Sequence, residues 1–138
     1  MKQANGELTT ATTGQGLVEV TREVIDWLAE QAVTTGLLTV FCRHTSASLL
    51  INEDASPAVR RDIQRYFARI APEANDYEHG DEGPDDMPAH LRTALTGVSL
   101  SIPVAGGRTV LGRWQGIYLF EHRNAPHRRH ISLHVIGE

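Results

Sequence analysis

The chain has 138 residues, with 41% apolar and 22% charged residues and a formal net charge of −4. Those proportions fit one globular domain with its own core and exclude a disordered chain. The mild negative charge gives no reason to expect nucleic acid or an anionic membrane as a partner.

Met1 to Gly16 is polar and rich in Thr, without the apolar centre of a signal peptide. No apolar stretch approaches the roughly 20 residues that span a bilayer, so a cytoplasmic location is the expectation. Leu8 to Thr13 reads as a first strand. Thr21 suits a helix N-cap, and Val24, Ile25, Leu28, Ala29, Ala32 and Val33 follow at helical spacing, with Gly36 at the exit. Leu37 to Cys42 and Ala47 to Ile51 read as paired strands joined through His44, Thr45 and Ser46. Cys42 is the only cysteine, which excludes an intrachain disulfide, and alternation with Leu38 and Val40 turns it toward the core.

A second helix has the clearest signals. Ser56 can cap it, Pro57 suits its first turn, and Val59, Ile63, Tyr66, Phe67 and Ile70 form an apolar stripe that ends before Pro72. Glu73 to Pro88 is a long polar loop, a length that in a compact domain suggests a functional segment. Ala89 to Leu95 is expected to form a short third helix ending near Gly97. Strands follow at Val98–Val104, Arg108–Leu111, Gly116–Phe120 and Ile131–Ile136, the first two joined by a turn at Ala105, Gly106 and Gly107. No linker divides the chain, so residues 1–138 read as one α+β domain.

Seven histidines invite a metal hypothesis, but no short spacing matches a standard zinc signature. A site must be assembled from separate segments, and His44, His79 and His90 are the candidate ligands. Asp81, Glu82, Asp85 and Asp86 lie between the last two, as further ligands or as groups that orient an imidazole. Zinc or another transition metal suits such donors, with magnesium carried by a substrate as the alternative. Glu121 and Arg123 share one face of their strand and His122 takes the other. Arg123 either pairs with Glu121 or binds phosphate, and Trp114 is either a stacking wall or a core residue. His130 and His134 fall on the polar face of the last strand, and His127, Arg128 and Arg129 form a basic patch on a solvated turn.

His44-Thr45-Ser46-Ala47-Ser48 with Asn52-Glu53, then Asp85-Asp86-Met87-Pro88-Ala89-His90, resembles the YjbQ-like family. The resemblance continues through Gly97, Gly112-Arg113-Trp114-Gln115-Gly116 and Glu121-His122-Arg123. Arg113 departs from it, standing where the family commonly has Thr. The resemblance implies a curved, mostly antiparallel sheet with two main helices and one short one, a homotrimer, and a histidine-lined pocket near the subunit boundary. It also implies a secondary thiamine-phosphate synthase activity, joining hydroxymethylpyrimidine diphosphate to thiazole phosphate with release of pyrophosphate. On that reading a divalent cation sits at His44, His79 and His90, with His44 also catalytic and Glu53 or Glu121 as base or orienting group. Ser46, Gln115, Arg113 and Arg123 would hold the phosphorylated small molecule, and Trp114 would stack on the pyrimidine. The alternatives are a metal-assisted phosphoester hydrolase and a trimeric binding protein without turnover.

Overall fold

The computed structural model describes residues 1–138. Its elements in chain order are β1 (Lys2–Thr12), β2 (Gly16–Glu19), α1 (Thr21–Ala29), β3 (Thr35–Cys42), β4 (Ala47–Glu53), α2 (Pro57–Ile70), α3 (Asp86–Thr96), β5 (Ser99–Ala105), β6 (Arg108–Thr109), β7 (Gln115–Glu121) and β8 (His127–Gly137). The strands form two antiparallel sheets, one ordered β1-β8-β3-β5-β6 and the other β2-β7-β4. The α+β expectation holds, with three helices against a curled antiparallel strand system.

Alternation decides which faces meet. Leu38, Val40 and Cys42 of β3, Ile102 and Val104 of β5, and Ile131, Leu133 and Val135 of β8 point inward together. They pack on Leu49, Ile117 and Leu119 of the smaller sheet, and Val24 and Leu28 of α1 close the core. The polar face of β8, with His130, Ser132 and His134, stays half-buried on the other side.

One pairing differs from the sequence reading. β3 and β4 are not partners: β3 hydrogen-bonds β5 and β8, and β4 pairs with β7 in the other sheet. Residues 43–46 form a corner between the sheets instead of a hairpin. The strand residues alone suit either partner; the long strands β7 and β8, drawn from the other end of the chain, take the two edges instead. The Gly106-Gly107 turn is a tight two-residue hairpin, with Ala105 opposite Arg108. Both glycines have positive φ (58° and 76°), the conformation that such a turn demands and that side chains resist.

Neither proposed helix cap makes a side-chain capping bond. Thr21 Oγ1 instead donates to Glu19 and accepts from the Ile117 amide, tying α1 to β7. The amides of Ala55 and Ser56 are taken by the Glu53 carboxylate, at 3.1 and 3.0 Å.

Candidate metal centre

α3 begins at Asp86, three residues earlier than the sequence suggested, and this places a carboxylate in its first turn. A negative group is favoured there by the unpaired amides of the helix start. Asp86 and His90 are four residues apart, so they stand one above the other on the same helical face. His79 reaches the same point from the preceding loop. His79 Nε2 lies 2.8 Å from Asp86 Oδ2 and His90 Nε2 lies 3.1 Å from the same oxygen. The three candidate ligand atoms all fall within 4.8 Å of one another. Asp86 is 2% exposed, whereas His79 is open to solvent and His90 half-buried, so the cluster has a sealed floor and an open side.

The orientation of His90 follows from its other nitrogen. Nδ1 lies 2.8 Å from the Thr45 carbonyl oxygen, which can only accept, so Nδ1 carries the hydrogen. A neutral His90 then turns its Nε2 lone pair toward Asp86 Oδ2. Two electron-rich atoms at 3.1 Å are stable neighbours only when a proton or a cation stands between them. A backbone carbonyl fixing the tautomer of an imidazole is also how histidine ligands are commonly oriented toward metals.

Arg123 holds the carboxylates in place. Its Nε donates to Asp85 Oδ2 at 3.0 Å, one terminal nitrogen to Asp86 Oδ1 at 2.9 Å and the other to the Glu82 carbonyl at 2.9 Å. It engages one oxygen of Asp86 and leaves the other facing the imidazoles. Burial pushes the Asp85 carboxyl up, but donation from the Asn124 amide and Arg123 holds it below the usual carboxylate range. Burial acts on Asp86 in the same sense and is outweighed by His79, His90 and Arg123. Both therefore stand as carboxylates at neutral pH. Two imidazoles and one carboxylate, gathered on one side of a point in space, suit zinc or a first-row transition ion and leave further coordination positions open.

The structure distributes the sequence candidates in three places. His79 and His90 come together with Asp86. His44 does not join them: its Nε2 accepts the His130 amide at 2.7 Å, its ring stacks on His130, and burial together with Arg129 lowers its pKa. Glu121 is fully buried, accepting from Thr12, from Arg129 Nε at 2.8 Å and from the amides of His122 and Arg123. A carboxylate so occupied has no lone pair left to work as a base. Ser46 is bound up with it, its Oγ 3.0 Å from Arg129. The Arg123 side chain pairs with Asp85 and Asp86, not with Glu121, and these contacts with the Glu82 carbonyl occupy three of its five N–H donors.

The third group lies elsewhere. In the β4–β7 ladder Ala47 faces Glu121 and Glu53 faces Gln115. Six residue steps separate these ends, about 20 Å at about 3.3 Å per residue. Glu53, Gln115, Trp114 and Arg113 thus sit at the end away from Glu121. There Glu53 binds the start of α2, Gln115 Oε1 accepts the Gly112 amide, and Arg113 lies over the exposed Trp114 ring at 4.7 Å. Within one chain they stand apart from the cluster around His90.

Two participants escaped the sequence reading. Asp86 reads in the sequence as one of four loop carboxylates, whereas in the fold it opens α3; the Asp-x-x-x-His spacing of Asp86 and His90 is the signal that singles it out. Arg129 was assigned to a solvated patch, yet it is 4% exposed and paired to Glu121. Its inward alternation with Ile131 and Leu133 was legible.

The fold and site together define a small α+β protein with a two-histidine, one-carboxylate cluster between a helix start and a sheet corner. The chain belongs to the UPF0047 YjbQ-like family, whose model matches residues 6–138. It is 48% identical to a UPF0047 protein of Synechocystis over 95% of this chain and 90% of that one. It is 44% identical to the UPF0047 protein YjbQ of Escherichia coli O157:H7, over 95% and 96%. Among solved structures, a YbjQ-like protein of unknown function from Sulfolobus solfataricus superposes with a TM-score of 0.92 at 25% identity, covering 99% of both chains. A YjbQ/UPF0047 protein from Clostridium acetobutylicum gives 0.87 at 34% identity, covering 94% and 98%.

These relatives overturn the expected activity. They are described only as UPF0047 or YjbQ-like proteins, the Sulfolobus one as of unknown function, and nothing in them indicates thiamine-phosphate synthase activity.

Proposed function

We propose that this protein is a divalent transition-metal protein, with His79, Asp86 and His90 as ligands and a small anion as its exchangeable partner. The observation that carries the reading is the facing pair of His90 Nε2 and Asp86 Oδ2, with the His90 tautomer set by the Thr45 carbonyl. Three protein ligands with an open side correspond to sites that exchange ligands, in contrast to closed four-ligand structural sites. A metal so held would polarise a bound carbonyl or lower the pKa of a bound water, the chemistry of a reactive centre.

Native mass spectrometry of the untagged protein, before and after chelation and reloading with Zn2+ or Co2+, tests this. We expect a homotrimer with about one ion per chain. His90→Ala and Asp86→Asn should lose the ion while keeping the wild-type circular dichroism, and His44→Ala should keep it. Protein that stays metal-free after reloading, or a His90→Ala variant with full occupancy, overturns the proposal.

A further inference from the structure

A cleft of about 660 Å³ opens beside the cluster, lined by Phe41 to Thr45 on one side and by His90, Thr93, Ala94 and Val98 on the other. That volume is in the range of small-molecule sites. His90 belongs both to this wall and to the metal cluster, so the cleft and the cluster share a border. His90, Thr93 and Ala94 share one face of α3, by the same spacing that aligns Asp86 with His90.

The lining has a definite chemistry. It contains no carboxylate; its charged member is Arg43, one terminal nitrogen of which pairs with Glu7 outside the lining at 3.2 Å, and Phe41, Cys42, Ala94 and Val98 make an apolar wall. Thr93 is 8% exposed and its Oγ1 has no hydrogen-bond partner, a buried polar atom that a ligand can satisfy. The concavity on the other side of the cluster, beside His79, is lined by Glu78 and Asp81 and repels anions. Of the three cluster residues only His90 lines the cleft, so a negative group bound in it would approach the cluster from the His90 side with its body on the apolar wall.

We infer that this cleft binds organic monoanions, carboxylates with an apolar body, whose head group meets the metal and Arg43 while the body lies against Phe41, Ala94 and Val98. The inference rests on the metal reading above and names the ligand class of the same site. It favours such ligands over inorganic phosphate, which has no apolar body to cover Phe41, Ala94 and Val98.

Visible absorption of the Co2+-loaded protein, titrated with acetate, phenylacetate, inorganic phosphate and the neutral phenylacetamide, tests it. Phenylacetate should perturb the cobalt bands with an affinity at least about tenfold above acetate, from the apolar area that it buries. Phosphate and the amide should bind more weakly than phenylacetate. Ala94→Glu, at an exposed position that leaves the core untouched, should abolish the preference while keeping stoichiometric Co2+. Phe41→Ser should reduce it several-fold. Equal affinity for acetate and phenylacetate, tighter phosphate binding, or an unaltered preference in Ala94→Glu overturns the ligand class while Co2+ binding leaves the metal reading standing. Failure to take up Co2+ overturns the metal reading and the inference with it.

Discussion

Glu121 and Asp86 show how differently two buried carboxylates are used. Glu121 has its oxygens filled by Arg129, Thr12 and two backbone amides, and burial alone would push its carboxyl up. The donors win and hold it below the usual range. Its contribution to stability is therefore present above about 4.5 and lost as pH falls through the lowered value. Removing the charge leaves Arg129 buried without its partner, and breaking such a pair costs about 3–5 kcal/mol. Glu121→Gln is expected to lose that much in urea unfolding while binding metal like the wild type; a stable variant with impaired metal binding would instead return Glu121 to the site. Asp86 differs because Arg123 takes one oxygen and the other meets two imidazoles. Neither role can be read from the letters, since each depends on which donors the fold delivers. The His79 and His90 candidacy was legible because both flank an acidic loop. His44 was a candidate on a different ground, a strand end followed by the small hydroxyl residues Thr45 and Ser46, and in the fold its Nε2 is taken by the His130 amide.

Among the elements, α3 carries the site and its junction with β5 anchors it. The Gly97 carbonyl accepts the Leu49 amide at 3.0 Å and the Val98 carbonyl accepts the Cys42 amide at 2.7 Å, so this joint ties β4 and β3 together. Gly97 has φ 93° and ψ 168°, a region that essentially glycine alone occupies. No atom lies within 4 Å of the position that a Cβ would take, so the cost of a side chain there is conformational. Gly97→Ala is expected to lower stability by about 1–3 kcal/mol in denaturant titration. A neutral result would show that the backbone relaxes without disturbing the joint. The glycine was visible in the sequence as a helix stop. Its service to both sheets was not, because the partners Leu49 and Cys42 lie some fifty residues upstream.

For the molecule as a whole, the response to acid centres on His122. Its ring is fully buried against Phe120, Nε2 lies 2.8 Å from Ser48 Oγ and Nδ1 has no partner. Burial, with the nearby Arg92 charge, pushes its pKa from 6.5 down to about 3. Below 6.5 the unfolded chain takes up a proton that the folded one refuses until about pH 3, so stability falls with pH across that window. The slope reaches about 1.4 kcal/mol per pH unit for one such group. His44, lowered by burial, acts in the same direction, and the carboxylates contribute below it. Urea unfolding between pH 4 and 7, on about a unit grid, should show most of this slope removed by His122→Gln. An unchanged slope would assign the acid sensitivity to other groups.

Period and punctuation in the chain were enough to determine the class of fold. Alternation in residues 38–42, 98–104 and 131–136 marks buried strands, Pro57 and the spacing of Val59, Ile63 and Phe67 mark α2, and Gly106-Gly107 marks a hairpin. These signals are local, each set by backbone sterics and the side-chain repeat over a few residues. Strand partnership, the division of β3 from β4 between two sheets and the gathering of His79, Asp86 and His90 were decided only by the tertiary structure. Those outcomes depend on contacts between distant segments and on which donor reaches each lone pair first, as the His130 amide does for His44 and the Thr45 carbonyl for the hydrogen of His90.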